Sequence, residues 1–482
     1  MNPKTFAARL PTWMKVLYGS GDWGLASVGI LRSLFYAIYL TDVVGLEPRL
    51  ASFGAVAGIF WDALNDPIVG TLSDRLSTRW GRRRPFLLWF AIPFALSFVM
   101  LWSAPRWESQ SALLAYVTIS FMLADTLQTL ISVPFLSLTP ELTSDYDERT
   151  SLTSFRSFFQ LFGALSVVIV APAVVDAVIA NGGTQQQGFM LVGAIFGSIG
   201  AVPLLLIGLF VRETSRPTVE KELPFRESLR LAWENIPFRY AAGIHMLNWS
   251  AVDMVVVTFP YFLLYWVARG DLLAKINIFG LELAYESAFF GVLLSVCILF
   301  IPFWLWLARK QNKRRAYMLG MGFWVLVQLF ILTIKPGQAG LLLIAAALAG
   351  IGVSAAYTLP DSIFADVIEW DELRTRRRQE GIYYGMRAFI RKMTGALVIF
   401  ITLQALGWSG YQAPPEGVTQ FQQNATALTT IRTLVSPMGA LLLSGALVCA
   451  WFFPLSREKH ARVQKLLAQR RARQRNTPND IL

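Results

Sequence analysis

Two carboxylates stand four residues apart inside a strongly apolar stretch, in the segment Trp61-Asp62-Ala63-Leu64-Asn65-Asp66-Pro67. In an α-helix with about 3.6 residues per turn and about 1.5 Å rise per residue, Asp62 and Asp66 share one face. An ionised Asp at the centre of a bilayer costs about 2.5–3.5 kcal/mol, so the pair costs roughly 5–7 kcal/mol unless it is compensated. Such a face can hold a proton or a small cation such as Na⁺, and the spacing therefore predicts a cation-binding site.

The apolar stretch around these aspartates is one of many. The chain has 482 residues, of which 55% are hydrophobic and only 15% are charged. This composition excludes an ordinary soluble domain and is typical of an all-α, multi-pass membrane protein. Segments of about 20 apolar residues are long enough to cross a bilayer. We predict twelve spans, at 17–40, 50–73, 86–104, 112–139, 151–178, 188–211, 240–266, 285–307, 317–334, 339–365, 382–407 and 428–454.

The net charge of +12 is unevenly distributed along the chain. If the N-terminus is cytoplasmic, most of the 43 Lys and Arg residues fall in cytoplasmic segments. The positive-inside rule therefore predicts that both termini are cytoplasmic. We expect a protein of the plasma membrane, in a bacterium the inner membrane, whose basic segments face lipid and not nucleic acid. The loops on the other side hold only Arg49, Arg106, Arg269, Lys275 and Lys335.

Six predicted spans precede a charged connector and six follow it, which predicts two six-helix bundles. The predicted divisions are 1–211 for the first bundle, 212–239 for a cytoplasmic connector, 240–456 for the second bundle and 457–482 for a basic cytoplasmic tail. The chain has two histidines and no Gly-x-x-x-x-Gly-Lys pattern for binding phosphate. We therefore expect neither an enzyme nor a bound cofactor, but a monomeric transporter driven by an ion gradient.

The loop after the second span combines an acid with five arginines. Asp74 lies at the predicted membrane edge, and Arg79 belongs to the basic run that follows it. Arginines close to the carbonyl end of a neighbouring helix can form a charge latch that is made in one conformation and broken in another. The same cations would also serve as a topology signal alone, so both interpretations stay open.

Lys392 is predicted near mid-depth in the eleventh span, too deep to reach the membrane surface comfortably. We predict that it is the counter-charge of Asp62 and Asp66. A cation held by the two aspartates would release the lysine, and loss of the cation would let it pair again. In the alternative interpretation, the three residues form a fixed ion pair that only holds helices together.

Further polar and aromatic side chains within the spans have the types that bind polyhydroxylated solutes. Sugar sites combine flat aromatic faces with amides and charged groups. In the alternative interpretation, the tryptophans pack against lipid or other helices, and Arg156 reaches the membrane boundary. The candidate solute-binding residues are Asp22, Trp23, Arg32, Arg156, Asn248, Trp249 and Asp253.

The segments Trp61–Gly70 and Arg79–Pro85, with Asp74, resemble the second-span signature of the glycoside–pentoside–hexuronide:cation symporters. The resemblance extends over both halves of the chain and implies the twelve-helix major facilitator fold. Its further segments are Tyr39-Leu-Thr-Asp-Val-Val-Gly-Leu46, Val133-Pro-Phe-Leu-Ser-Leu-Thr-Pro140, Ala365-Asp-Val-Ile-Glu-Trp-Asp-Glu-Leu373 and Glu380-Gly-Ile-Tyr-Tyr-Gly385.

The resemblance also implies roles for single residues. The paired cation-site aspartates of that family match Asp62 and Asp66, and its eleventh-span lysine matches Lys392. Its sugar-holding arginine in the fifth span matches Arg156. Two positions depart from the best-known member: Ala26 replaces a sugar-binding carboxylate, and Ser132 replaces a carboxylate that completes the sodium site. A hydroxyl in place of that charge leaves both H⁺ and Na⁺ open as the coupling ion.

These observations predict cation-coupled symport of a sugar or glycoside by alternating access. The cations Arg32, Arg156 and Lys392 favour an acidic solute such as a uronate over a neutral sugar. A second hypothesis keeps the fold and changes the cargo, because animal relatives of the family include lysophospholipid symporters. A third and remote hypothesis is a solute sensor that does not transport.

Overall fold

The computed structural model describes residues 10–76, 78–105, 107–142, 146–211, 230, 233–278, 280–375, 380–415, 418–455, 458–459, 461–463, 465–467 and 469. Nearly all of this part of the chain is helical, and every apolar segment named above coincides with a helix. Within a bilayer a helix satisfies all its backbone hydrogen bonds internally, which is why long apolar segments adopt this form.

The first half of the chain forms six long helices. Proline at the first turn starts α2 and α3, where its missing N–H costs nothing. A reciprocal capping box between Thr184 and Gln187 starts α6. The helices are α1 (Thr12–Ile38, continued by a π-helical turn at Tyr39–Val43), α2 (Pro48–Arg75), α3 (Arg84–Leu101), α4 (Gln110–Leu142), α5 (Tyr146–Ala180) and α6 (Gln185–Phe210).

The second half repeats this pattern. Two of its rods contain π-helical turns next to Pro260 and around Pro437, because proline removes a backbone donor and widens the local turn. The helices are α7 (Ile236–Tyr261, continued by a π turn at Phe262–Val267), α8 (Tyr285–Lys310), α9 (Lys313–Ile331), α10 (Ala339–Thr375), α11 (Glu380–Trp408), α12 (Ala425–Thr433, continued by a π turn at Leu434–Met438) and α13 (Gly439–Phe452).

The predicted class of all-α membrane protein is confirmed. Among the described residues, ten helical rods are long and apolar enough to cross a membrane. The two predicted spans outside this set coincide with α2 and α9, which are continuous helices over Pro48–Arg75 and Lys313–Ile331. The prediction of twelve spans is therefore consistent with the helices observed.

A short β-hairpin was not predicted. Lys275–Ile278 pairs antiparallel with Leu281–Ala284, in the register Lys275↔Ala284 and Ile278↔Leu281. The Asn277 side chain accepts a hydrogen bond of 3.0 Å from the Gly280 amide, and Gly280 takes the positive φ of 88° that the turn requires. The hairpin lies in the connection between α7 and α8 and leaves the all-α class unchanged.

The chain divides into two compact units that do not follow its two halves. Unit 1 comprises Met1–Val219, Val256–Gly291 and Ile399–Ile431, and unit 2 comprises Glu220–Val255, Val292–Val398 and Arg432–Leu482. The boundary thus runs through the helices α7, α8, α11 and α12. The predicted bundle limits at residues 211, 239 and 456 stay predictions, because the connector and the tail lie largely outside the described residues.

Glycine allows the closest helix contacts inside each unit. In unit 1, a Cβ on Gly24 of α1 would lie 2.4 Å from the Gly200 carbonyl oxygen of α6. In unit 2, a Cβ on Gly350 of α10 would lie 2.5 Å from the Leu293 carbonyl oxygen of α8. Small residues dominate such contacts because helices within lipid associate through close packing and not through hydrophobic burial.

Candidate functional site

The two aspartates lie on consecutive turns of α2, which is helical through both. Asp62 and Asp66 are each half-buried. The same part of α2 is held against α4, since Trp61 Nε1 donates a hydrogen bond of 2.8 Å to Thr126 Oγ1. A Cβ on Gly58, one turn before Asp62, would lie 2.4 Å from the Phe121 ring. The backbone that carries both carboxylates is therefore fixed by close packing.

Asn65 is a polar residue of this segment that the sequence interpretation did not use. It lies between the two aspartates and is only 6% exposed. Its Nδ2 is buried and has no hydrogen-bond partner among the described residues. A buried amide without such a partner is costly, which gives this position a use beyond helix packing. The signal in the sequence was an amide placed between two acids in an apolar stretch.

Ser132 lies on α4, the helix against which α2 packs, and is half-buried. Among the described residues, no group of three or more His, Cys, Asp or Glu side chains converges as a metal site would require. A cation on α2 would thus have two carboxylates and neutral oxygens as ligands. Such a donor set suits a monovalent cation or a proton better than a transition metal.

Two of the predicted solute residues meet in unit 1. Arg156 of α5 binds the Asp22 carboxylate of α1 with both prongs, at 2.5 Å from Nε to Oδ2 and 3.1 Å from Nη2 to Oδ1. The guanidinium also lies 5.5 Å from the centre of the Phe135 ring. Both charged side chains are mostly buried, at 18% and 13% exposure, so the pair is desolvated and directional.

The other predicted residues of unit 1 have separate surroundings. Arg32 of α1 lies 3.4 Å from the Asp125 carboxylate of α4 and 5.0 Å from the Phe121 ring centre. Trp23 packs against Gly163 of α5, where an added Cβ would lie 2.8 Å from the Trp23 carbonyl oxygen. Arg32 therefore has the acidic partner that a cation within the membrane requires. Trp23 lies at the contact between α1 and α5.

A second arginine–aspartate pair lies in unit 2. Arg391 of α11 binds the Asp253 carboxylate of α7 through Nη1 at 2.6 Å and Nη2 at 2.8 Å. Its guanidinium stacks 4.3 Å above the Trp249 ring, and that ring meets Tyr357 edge to face at 5.0 Å. Asp253 and Trp249 were predicted from the sequence. Arg391 was not, because its neighbour Lys392 had the closer family match.

Asn248 is fully buried in helix packing. Its Nδ2 donates to the Ala356 carbonyl oxygen at 3.1 Å, and its Oδ1 accepts from the Tyr317 hydroxyl at 3.3 Å. Both ends of the amide therefore link α7 to α9 and α10. Lys392 is half-buried on α11. Its pairing with Asp62 and Asp66 stays a prediction, because the lysine belongs to unit 2 and the aspartates to unit 1.

The basic run after α2 contacts a neighbouring helix end through Arg84, and the roles of Asp74 and Arg79 stay predictions. Arg84 donates 2.8 Å hydrogen bonds to the carbonyl oxygens of Gly208 and Leu209, at the last turn of α6. This is the favourable position for a cation at the negative end of a helix dipole. Arg79 is exposed, with its guanidinium 4.9 Å from the Trp80 ring centre. The Asp74 side chain lies outside the described residues.

A cluster of hydroxyl groups surrounds Asp42 in the π turn at the end of α1. The carboxylate accepts hydrogen bonds from Thr41 at 2.7 Å, from Tyr411 at 2.6 Å and from Tyr265. The Tyr261 hydroxyl lies 3.1 Å from the Thr41 hydroxyl. All of these residues belong to unit 1, although three come from the second half of the chain. Asp42 lies in the family-like segment Tyr39–Leu46, but no role was predicted for it from the sequence.

Long apolar helices with charge pairs enclosed between them define a class, the polytopic solute carriers. The chain belongs to the family described as MFS/sugar transport protein, whose model matches residues 17–457. The predicted membership of the major facilitator superfamily is thereby confirmed.

Individual relatives cover almost the whole chain. An uncharacterized symporter of Synechocystis sp. is 30% identical over 99% of both chains. A sodium-dependent lysophosphatidylcholine symporter of Danio rerio is 25% identical, covering 93% of this chain and 87% of its own. The isoprimeverose transporter of Lactiplantibacillus pentosus is 26% identical, covering 86% of this chain and 82% of its own.

The solved structures agree with the fold. A bacterial homologue of the human lysosomal transporter Spinster, in an inward-facing and unoccupied conformation, has a TM-score of 0.66. The comparison covers 95% of this chain and 98% of that one. At 11% sequence identity the likeness supports the fold alone.

Proposed function

We propose that this protein is a cation-coupled symporter that carries a sugar or glycoside across the membrane by alternating access. The proposal rests on one observation above all: two half-buried carboxylates share a face of α2 in a protein built of apolar helices. The relatives support it, because three of them bear the name symporter or transporter over nearly the full length of the chain.

The coupling ion binds at Asp62 and Asp66, with Asn65 and Ser132 as neutral partners. Two carboxylates four residues apart repel each other, and a proton or Na⁺ relieves that repulsion. Sodium prefers oxygen ligands, which the two carboxylates, the Asn65 amide and the Ser132 hydroxyl supply. Sodium is supported by the Danio rerio relative, which is named a sodium-dependent symporter. A proton is the alternative, because it needs no ligands besides one carboxylate.

Coupling follows from the cost of reorienting a half-loaded carrier. A bound cation offsets part of the cost of two aspartate charges within the membrane, so its loss raises the cost of reorientation. One charge crossing about 100 mV releases roughly 2.3 kcal/mol. At about 1.4 kcal/mol per tenfold, that energy supports roughly 50-fold accumulation of the solute.

The coupling assignment is tested with Asp66→Asn in vesicles under imposed Na⁺ or H⁺ gradients. We expect at least tenfold loss of gradient-driven accumulation, with exchange of solute at equal concentrations retained, because the amide removes the charge and keeps the size. The matched control is Glu47→Gln, which neutralises an exposed acid directly before α2. Full accumulation by the Asp66→Asn protein would overturn the coupling role.

Each unit holds a charge pair of the kind that binds a solute. In unit 1, Asp22 and Arg156 present carboxylate acceptors and guanidinium donors. In unit 2, Asp253 and Arg391 do so above the flat Trp249 ring. These groups suit a hydroxylated ring. The cations Arg32, Arg156 and Lys392 favour a solute with a carboxylate, such as a uronate. The description of the family as sugar transport proteins and the isoprimeverose relative support a sugar.

A second candidate solute is a lysophospholipid. It is favoured by three relatives named sodium-dependent lysophosphatidylcholine symporters, which are 25–26% identical to this chain. A thermal-shift screen of the purified protein against sugars, uronates and lysolipids distinguishes the two. A ligand that binds the folded state at 100 times its Kd stabilises it by about 2.7 kcal/mol. A shift with lysolipids and none with sugars would replace the sugar proposal.

The remaining features of the proposal concern the membrane. Both termini face the cytoplasm, the protein resides in the plasma membrane, in a bacterium the inner membrane, and the monomer is the transporting unit. The distribution of Lys and Arg supports the orientation. Labelling of cysteines placed at Lys335 and in the tail, with a reagent that cannot cross the membrane, tests it. Only the cysteine at Lys335 should react from outside.

The Asp42 cluster closes one end of unit 1 during the transport cycle. It ties the end of α1 to the end of α7 and to the segment after α11 through hydroxyl donors alone. Hydrogen bonds to a charged group contribute about 1.5–3 kcal/mol each. A few such bonds are strong enough to hold a closed state and weak enough to break in every cycle.

A further inference from the structure

His245 of α7 is a titratable side chain that the proposed coupling site does not use. It is 1% exposed, and both of its ring nitrogens are buried without a hydrogen-bond partner among the described residues. A neutral imidazole carries one N–H donor and one acceptor, so both functions are unsatisfied. Burying polar groups in this way is costly, which points to a ligand that satisfies them in another state.

The nearest charged group to His245 is a carboxylate that has a free oxygen. Nδ1 of His245 lies 4.0 Å from Oδ1 of Asp361 on α10, and this Oδ1 is itself buried without a partner among the described residues. The other oxygen, Oδ2, accepts a hydrogen bond of 2.9 Å from Arg387 on α11. At 4.0 Å the histidine and the carboxylate are about 1 Å too far apart for a direct hydrogen bond.

The charges around this pair are balanced. Arg387 and Arg391 of α11 face it, and they are matched by the carboxylates of Asp361 on α10 and Asp253 on α7. The rings of Trp249 and Phe364 lie 6.2 Å from the imidazole centre and bring no charge. An added proton is therefore opposed by the two arginines and stabilised by Asp361. The Asp361 side chain is 42% exposed, so water can deliver that proton.

We propose that His245 and Asp361 form a proton-binding site in unit 2, separate from the carboxylates of α2. The proton taken from water resides on the imidazole, and the protonated Nδ1 donates it as a hydrogen bond to Oδ1 of Asp361. Arg387 and the protonated imidazole then share one carboxylate, His245 at Oδ1 and Arg387 at Oδ2. Protonation of His245 thus weakens the Arg387–Asp361 ion pair.

The proposal does not depend on the identity of the solute or of the coupling ion. Its consequence for transport, which rests on the proposed function, is that Arg387 binds an anionic solute more strongly when His245 is protonated. Uptake of an acidic solute would then rise as the pH falls. A variant of this protein whose α2 aspartates no longer couple the ion to transport would still bind the proton at His245.

The test uses the small number of histidines in this chain. The sequence contains two, His245 and His460, so His460→Gln leaves a single imidazole. With ¹⁵N-labelled histidine in lipid nanodiscs, NMR reports the protonation of His245 directly between pH 4 and 9. The variants are Asp361→Asn, which removes the stabilising carboxylate, and Arg387→Gln, which removes the opposing cation.

We expect the pH of half-protonation to be higher in Arg387→Gln than in Asp361→Asn by about one unit or more, a tenfold difference in proton affinity. Lys335→Gln, which removes an exposed cation outside α7, α10 and α11, should leave the parent value unchanged. A smaller difference between the two variants, or no titration of His245 in Arg387→Gln, overturns the proposal. If Asp361→Asn does not fold, Asp361→Ser replaces it with the same expectation.

Discussion

Arg156 shows that the site depends on the shape of a side chain as well as on its charge. Its guanidinium binds both oxygens of Asp22, a geometry that lysine cannot reproduce with a single ammonium group. The pair is mostly buried, so solvent screens it little. A solute hydroxyl or carboxylate that reaches this pair meets the other guanidinium N–H groups, which Asp22 holds in a fixed orientation.

We expect Arg156→Lys to weaken binding of the solute found in the thermal-shift screen by about tenfold or more, because an ammonium cannot bind Asp22 with two prongs and still present oriented donors to the solute. Isothermal titration calorimetry of the purified protein measures the change. Arg309→Lys, an exposed position at the end of α8, is the matched control. Unaltered affinity in Arg156→Lys would remove this residue from the solute site.

The presence of charged residues within the helices was easier to predict than the partners they bind. The types and spacing of Asp22, Asp253 and Arg156 pointed to intramembrane charges, and each was found with a partner. The identity of those partners was not predictable, because it depends on the rotation of α1, α5, α7 and α11 about their axes. Asn248 shows the converse, since its amide looked suitable for a solute and is occupied by two neighbouring helices.

At the scale of elements, the π turn at the end of α1 places Asp42 among hydroxyl donors. Burial and the nearby Asp42 charge raise the pKa of Tyr411, which follows α11, well above its ordinary value. The folded pKa therefore lies above the unfolded one, and the hydroxyl stays protonated up to strongly alkaline pH. Its hydrogen bond to Asp42 is fully present below the ordinary tyrosine range and is lost only above it.

We expect Tyr411→Phe to loosen the closed end of unit 1, since it removes one donor to a carboxylate worth about 1.5–3 kcal/mol, or roughly 10- to 100-fold in the open-to-closed equilibrium. The measurement is the rate at which a maleimide labels a cysteine placed at Leu264, in a background without Cys297 and Cys449. Labelling that is equally slow in both proteins would refute the closing role. Tyr285→Phe, which lies outside the cluster, is the control.

Helix contacts provide a prediction with a control in the same helix. In α1 a Cβ on Gly24 would lie 2.4 Å from the Gly200 carbonyl oxygen, whereas Gly29 has nothing within 4 Å. We expect Gly24→Ala to lower the free energy of unfolding by about 1–3 kcal/mol through overpacking. Gly29→Ala should be neutral or slightly stabilising, because alanine favours a helix. Thermal denaturation in detergent compares them, and equal stabilities would contradict the tight α1–α6 contact.

At the scale of the whole molecule, the fold followed closely from hydropathy and length. Every predicted apolar segment coincides with a helix, because the bilayer leaves a long apolar chain no other way to satisfy its backbone. The hairpin at Lys275–Ala284 was missed, since short strands outside the membrane carry a weak pattern. The assignment of Val256–Gly291 and Ile399–Ile431 to unit 1 was also beyond prediction, because it depends on distant packing.

Because unit 1 includes two stretches from the second half of the chain, the polypeptide cannot be cut into two independent folding pieces. A fragment ending near residue 219 would lack the two later stretches that complete its compact unit, and the faces they cover would meet lipid or aggregate. Two separately translated pieces, cut in the connector between them, should consequently yield working carrier only when made in the same cell. Each alone should be degraded.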